Sequence, residues 1–590
     1  MSFFSEASLA MIPSGYKTSK VYSAIPTSGD GDLTFTRSND TATRVGPDGL
    51  IEKVRTNLLT YSQDFSNAAW AVDQVTKTTG QTDPNGGTTA VLLTSINTSS
   101  TYMYQVKAGL GCLSIYAKVG TRSTFSLIPT GYNNGAFFDL SSVTATASGI
   151  GSLAKIESVG GGWFRCSVAT SSSTDFIVSL SNIAGTDSVI SDTMTFAFAQ
   201  GETGDIATPY IATTSAAVSV GPVANVPRLD YLDSSYPRLL LEPQRTNLAL
   251  YSEQFDNAAW IKNAATITAN ASVSPDGTTN ADTLTESTFT SDSAFIYETV
   301  VVTASTAYTT TFFVKQGAGR YVYLRNYYGA GNAYHTIVVD TQTGTITQAS
   351  VGSSITNASS SIEAYGNGWY RVRATQTSAV EVALLTIIGL SDIATPTVGT
   401  FGQITIASNA GRSASVWGCQ LEAGAYATSY IPTLGAAVTR GGDDCSTTSL
   451  QSASLIGATA GTFFLQTTKT NDTTWINQRI FLTSDLVRSL LIDTSSGGQI
   501  RLRTWDASSV GATITTSGLT NGPVKYLIKW DGTNVKVFAN GVLVGSSAQP
   551  SYAYATYSAL ESTAYSNNNI SQLLFFPTAL SDADCIALTA

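Results

Sequence analysis

The 590 residues contain one histidine, His335, and five cysteines, Cys112, Cys166, Cys419, Cys445 and Cys585. A serine-histidine-aspartate relay needs an imidazole, so His335 would have to supply it. It closes the run Gly331-Asn332-Ala333-Tyr334-His335, which reads as the start of a strand, and a structural place is expected for it. The cysteines are far apart, odd in number and form no CxxC pair, so buried free thiols are expected rather than a zinc site or a disulfide framework. No Gly-x-Ser-x-Gly elbow, HExxH helix or phosphate-binding GxxxxGKS/T loop occurs. Paired carboxylates for glycoside hydrolysis need only meet in space. Here, however, the acids fall mostly in turns, as in Asp83-Pro84-Asn85-Gly86 and Asp276-Gly277, where turn-forming is their expected work. Asp531 and Asn534 suit an ordinary turn as well as a calcium loop, and no dense set of oxygen ligands surrounds them. The expectation is a non-enzyme with no catalytic residue, cofactor or metal.

Binding chemistry is better represented. From Arg320 to His335, tyrosines crowd a glycine-rich turn, and Tyr327, Tyr328, Asn332 and Tyr334 are the candidate glycan contacts. Tyrosine and asparagine combine flat contact area with adaptable hydrogen bonds. The alternative is a plain hairpin with core tyrosines. Trp70, Trp163, Trp260 and Trp369 could stack on sugar rings, but their alternating strand contexts favour the core.

The elements that must carry these residues are strands. Charged residues are only 12% of the chain, hydrophobic residues 43%, and glycines number 50. Threonine, valine and tyrosine favour strands, and glycine, asparagine and serine favour the turns between them. Long helical runs of Leu, Glu, Lys and Arg are missing, so the fold class is all-β. The net charge of −10 argues against a nucleic-acid partner, which selects a basic face. No apolar run approaches the roughly 18 residues that span a bilayer, and the opening Met-Ser-Phe-Phe-Ser-Glu-Ala does not read as a standard signal peptide.

The chain is internally duplicated. Arg55-Thr56-Asn57-Leu58 through Tyr61-Ser62, Phe65 and Asn67-Ala68-Ala69-Trp70 returns as Arg245-Thr246-Asn247-Leu248 through Tyr251-Ser252, Phe255 and Asn257-Ala258-Ala259-Trp260, at an offset of 190. Gly162-Trp163-Phe164-Arg165 returns as Gly368-Trp369-Tyr370-Arg371 at an offset of 206. Gln200-Gly201-Glu202 and Ala207-Thr208-Pro209-Tyr210-Ile211 return as Gln420-Leu421-Glu422 and Ala427-Thr428-Ser429-Tyr430-Ile431 at 220. The growing offset places about 30 extra residues in loops of the second copy. Alternating runs such as Cys112–Lys118 and Tyr308–Lys315 make each copy a two-sheet sandwich of jelly-roll type. The expected domains are a leading unit over 1–54, sandwiches over 55–220 and 245–440 joined by a proline-punctuated connector over 221–244, and a different sandwich over 446–590. Within the last, Lys525 to Val544 reads as a meander turning at Asp531-Gly532 and Asn540-Gly541.

The pattern Asp531-Gly532-Thr533-Asn534-Val535-Lys536-Val537-Phe538-Ala539-Asn540-Gly541-Val542, with Gln572-Leu573-Leu574-Phe575-Phe576, resembles concanavalin A-like, laminin G-type sandwiches. The repeat resembles modules of tailed-bacteriophage structural proteins. The marks are Asn247-Leu248 through Trp260, Gly368-Trp369-Tyr370-Arg371, and Gln420 through Tyr430-Ile431-Pro432; the first copy has Ala212 in place of the proline. The segment from Ile12-Pro13-Ser14-Gly15-Tyr16 to Asp48-Gly49-Leu50-Ile51-Glu52 resembles the N-terminal part of such proteins. That resemblance implies a fibre or spike on the virion surface, a homotrimer attached to capsid or tail proteins by residues 1–54 and contacting host-surface glycan, without membrane insertion. A bacterial secreted or surface glycan-binding protein is the alternative, and a glycan-degrading hydrolase a weaker one.

Overall fold

In the computed structural model, the description covers residues 3–232, 234–288, 293–329, 332–379, 383–447, 454–457, 459–469, 480–485, 488–495, 499–506, 509–515, 522–548, 559–562 and 568–590. The chain is almost entirely β, in several sandwiches. Contacts divide it into two compact units, Val54–Gly221 and a second made of Met1–Lys53 with Pro222–Ala590.

The first unit is one sandwich of two six-stranded antiparallel sheets. One runs in the order Gly151–Gly160, Trp163–Thr170, Cys112–Val119, Thr193–Glu202, Ala90–Ser95, Val75–Gln81. The other runs Thr144–Ser148, Gly135–Asp139, Thr124–Ile128, Asp175–Ser179, Tyr102–Val106, Ala71–Asp73. Alternation sends Phe125, Leu127, Phe176 and Val178 inward against Leu113, Ile115 and Phe196.

The second copy repeats this strand order. Its sheets are Ile355–Ala364, Trp369–Ser378, Ala307–Gln316, Ser413–Ala423, Ala281–Glu286, Ala265–Ser272 and Thr345–Val351, Tyr334–Asp340, Tyr321–Tyr327, Ala383–Ser391, Phe295–Val301, Ile261–Asn263. Identical topology from matching motifs is what a duplication requires. The largest single gain in the second copy lies between its last two long strands, where Asp392–Arg412 stands in place of Leu180–Asp192 and adds a small hairpin, Thr397–Val398 with Ile404–Thr405.

The leading segment corrects the expectation of a separate unit over 1–54. Leu9–Met11 pairs with Asn568–Phe576, and Leu33–Thr36 pairs with Asp444–Thr447, so both are strands of the C-terminal sandwich. The region expected to be a connector does likewise, through Arg228–Asp230 and Arg238–Leu241, which pairs with Asn568–Phe576. The physical reason is sheet completion. Phe463, Leu465, Leu573 and Phe575 leave an apolar face that Leu9, Met11, Leu33, Phe35, Leu229 and Leu239 cover. The expected meander is present as Gly522–Trp530, Asn534–Ala539 and Val542–Ala548. A short helix, Asp582–Thr589, capped by Ser581, ends the chain.

Candidate functional site

The repeated motifs are mostly structural anchors. Asn57 is buried, donates from Nδ2 to the Ala199 and Ile211 carbonyls, and accepts from the Leu59 and Gly201 amides. Asn247 repeats all four bonds with Cys419, Ile431, Ala249 and Leu421. Gln200 and Gln420 accept from the Ile211 and Ile431 amides, at 2.7 and 2.6 Å. Glu202 and Glu422 accept from the backbone and hydroxyl of Thr208 and Thr428. These bonds pin the closing segment that carries no ladder of its own. Trp70, Trp163, Trp260 and Trp369 are buried, as their strand contexts indicated. His335 points into the core, and burial lowers its pKa from the ordinary value. All five cysteines are buried and free, and burial pushes the Cys112 and Cys166 thiols up, away from the reactive thiolate.

Of the four tyrosine-hairpin candidates, the structure removes one. Tyr328 lies in the second copy's core with its hydroxyl accepting from Gln376 Nε2, because strand alternation turns it inward beyond Tyr327. Tyr327 and Tyr334 face each other across paired strands on the other face, both half-buried, and Asn332 sits in the turn with Nδ2 donating to Ser353 Oγ.

The inserted segment supplies what the sequence did not reveal. Phe401, 47% exposed, lies 6.0 Å from the Tyr327 ring, and the Arg325 guanidinium stands 4.8 Å over that ring. Arg325 Nη2 donates to the Phe401 carbonyl at 2.7 Å, and Thr336 Oγ1 donates to the Gly402 carbonyl at 2.7 Å. Gly402 is in the left-handed region at φ +80°, and a Cβ there would come within 2.4 Å of the Tyr334 ring. Glycine thus lets the insert's turn lie directly on the tyrosine. Tyr327, Phe401 and Tyr334, with the Arg325 guanidinium held on the Phe401 carbonyl, form an aromatic platform.

Elsewhere on that face the insert packs against the aromatics and covers them in part. Phe295, Tyr297, Tyr321 and Tyr323 pack with Val338, Ile387 and the insert's Val398 and Ile404. In the first copy the equivalent strand carries Tyr102 and Tyr104, half-buried and edge-on at 5.6 Å. Burial and then the Asp73 carboxylate push Tyr102 up to about 12. No group of three or more metal-ligating side chains occurs among the described residues. Asp531 accepts from the Thr533 and Asn534 amides, the turn role expected of it.

No family model and no curated protein matches the chain. Solved structures share sandwich architecture at low identity. The Ruminococcus gnavus IT-sialidase CBM40 bound to alpha2,6 sialyllactose is 15% identical, over 24% of this chain and 90% of that one, with a TM-score of 0.21. The CBM22-1-CBM22-2 tandem domain of Paenibacillus barcinonensis Xyn10C is 9% identical, over 62% and 98%, at 0.20. The LG1-3 region of the laminin alpha2 chain is 10% identical, over 82% and 93%, at 0.13. At such TM-scores these likenesses carry no weight for function, and the resemblance to phage modules rests on the repeat's motifs.

Proposed function

We propose that this chain is a non-catalytic glycan-binding protein whose second sandwich presents the Tyr327–Phe401–Tyr334 platform to a sugar ring. The observation that carries this reading is the partly exposed aromatic pair with Arg325 beside it. Flat rings stack on pyranose faces, and a fixed guanidinium and nearby carbonyls orient hydroxyls. A glycan array probed with the full chain and with the Tyr327→Ala/Phe401→Ala double variant tests it. The wild type is expected to retain one glycan class, and the double variant to lose at least about tenfold in affinity with an unchanged melting temperature. Equal binding by both proteins would reject the platform.

The second reading, a homotrimeric phage fibre or spike on the virion surface, is favoured by the three ordered motifs of the second copy, which the first copy repeats except for Ala212 at the close. On that reading, attachment to capsid or tail proteins uses the leading segment as edge strands of a folded sandwich, not as a free arm. Light scattering of the full chain separates the two: a stable trimer supports the fibre, a monomer the secreted or surface-bound glycan-binding protein.

A further inference from the structure

Within the unit formed by Met1–Lys53 and Pro222–Ala590 lies a cavity of about 390 Å³. Its walls are the outer face of Ala307–Gln316, Trp369–Ser378 and Ile355–Ala364, the ribbon Thr43–Val45 with Ile51–Lys53, and the closing segment from Tyr426 to Tyr430. The volume falls in the range of small-molecule sites, about 300–1,000 Å³.

Most charges around it are already committed. Glu242 accepts from Arg228, Arg440 and Ser429, and Asp230 accepts from the Val45 and Leu232 amides. Arg44 is paired with Glu52 at 2.7 Å. Arg371 differs. It is buried, donates Nη2 to Thr311 Oγ1 at 3.1 Å and lies 5.4 Å over the Phe313 ring. Among the described residues no carboxylate forms an ion pair with it, whereas Arg228 and Arg440 are both paired; Tyr365 shares a side-chain hydrogen bond with it, and its Nε, like theirs, has no partner. The matching residue of the first copy, Arg165, donates both to Ser114 Oγ and to the Thr208 carbonyl, whereas Arg371 donates to the Thr311 hydroxyl. A guanidinium cannot shed its proton to escape burial, so one held by hydroxyls and an aromatic ring, with Glu363 opposite it in the register but no ion pair among the described residues, is receptive to an anion.

Two further groups on the wall lack partners: the buried hydroxyl of Tyr426 and Asn569 Oδ1. One can give or take a hydrogen bond and the other only accept, so hydroxyl groups suit both. Tyr365 and Tyr426 add aromatic surface. We propose that this cavity binds a carboxylate-bearing sugar of the uronic-acid class, its carboxylate on Arg371 and its hydroxyls on Tyr426 and Asn569. Glu363, exposed and opposite Arg371 in the strand register, is the repulsive charge at this site. The inference does not depend on the aromatic platform, which lies on the other sheet of the sandwich.

Calorimetry on the full chain with D-glucuronate, D-glucose and acetate tests it. Glucuronate is expected to bind saturably and the other two about tenfold more weakly or not at all. Arg371→Gln and the fold-sparing Tyr426→Phe should each weaken glucuronate about tenfold, Glu363→Gln should tighten it, and Tyr327→Ala/Phe401→Ala should leave it unchanged. Absence of saturable glucuronate binding, or binding that neither Arg371→Gln nor Tyr426→Phe alters, would overturn the proposal. Acetate binding as tightly as glucuronate would overturn the sugar.

Discussion

Glu298 and Gln105 occupy matching places in the two copies and do one job with different chemistry. Gln105 Oε1 accepts from the Thr60 amide at 2.9 Å, and Glu298 accepts from the Leu250 amide with both oxygens, at 3.1 and 3.0 Å. In the second copy burial pushes the Glu298 carboxyl up to about 7, and Asp282 on the neighbouring sheet is likewise pushed up to about 7 by burial. A raised carboxyl pKa means that the folded chain holds a proton the unfolded chain has released. The stability these two groups contribute is therefore fully present below the ordinary carboxylate range, is lost as pH rises to about 7, and levels above it. Glu298→Gln should raise the melting temperature at pH 8, leave it nearly unchanged at pH 4, and reduce the slope between. Asp282, together with the other carboxyls that burial raises, Asp230, Glu253 and Asp444, keeps a remaining slope. Thermal melts of both proteins across this range check the sign.

At the scale of elements, each sandwich is closed by a segment held through side chains instead of a ladder. Asn57 and Asn247 each satisfy four backbone groups in the interior. Leaving such groups unpaired costs about 1–3 kcal/mol each. Asn57→Ala should therefore destabilise the first sandwich by about 3 kcal/mol or more. Because Val54–Gly221 is a compact unit of its own, the loss should appear in one of two denaturant transitions. A uniform shift of a single transition would contradict that independence. The insert over 392–412 illustrates the opposite case, an element with little regular structure that decides which aromatics of this sheet face remain open.

Across the whole molecule, the leading segment, the connector, the second repeat and the C-terminal sandwich meet in one buried ionic network. Arg37 pairs with Asp443 at 3.0 Å, Arg228 joins Asp443 to Glu242, and Arg440 pairs with Glu242 at 2.6 Å. All five side chains are essentially inaccessible. The adjacent guanidiniums hold the Glu242 carboxyl down at about 2 in spite of its burial. Such networks add little net stability when intact, but removing one member strands the others and costs about 3–5 kcal/mol. Asp443→Asn leaves Arg37 and Arg228 short of a counter-charge. It should destabilise the larger unit by about that amount while the Val54–Gly221 transition stays in place, as denaturant titration would show.

Much of this was legible in one dimension. Alternation and turn residues specify strands locally, so the all-β class, the duplication and the Lys525–Val544 meander could be read directly. The same holds for the buried tryptophans and cysteines. The terminal helix was missed, although Ser581 three residues before Asp584 is a capping signal. Alternation also identifies which side chains share a face but not which face is covered, so Tyr328 was grouped with Tyr327 although it faces the core. Phe401 and Arg325 were not singled out, because their approach to Tyr327 depends on where a long insert lies. Nor did the sequence show that Leu9–Met11 and Leu33–Thr36 join two sheets whose other strands lie more than four hundred residues later. Strand pairing of that span is chosen by complementary apolar faces and unpaired sheet edges, which exist only once the chain has folded. Local composition thus determined the elements and their repetition. The tertiary structure alone decided which edges they completed, which aromatics stayed open, and that Arg371 lines a cavity.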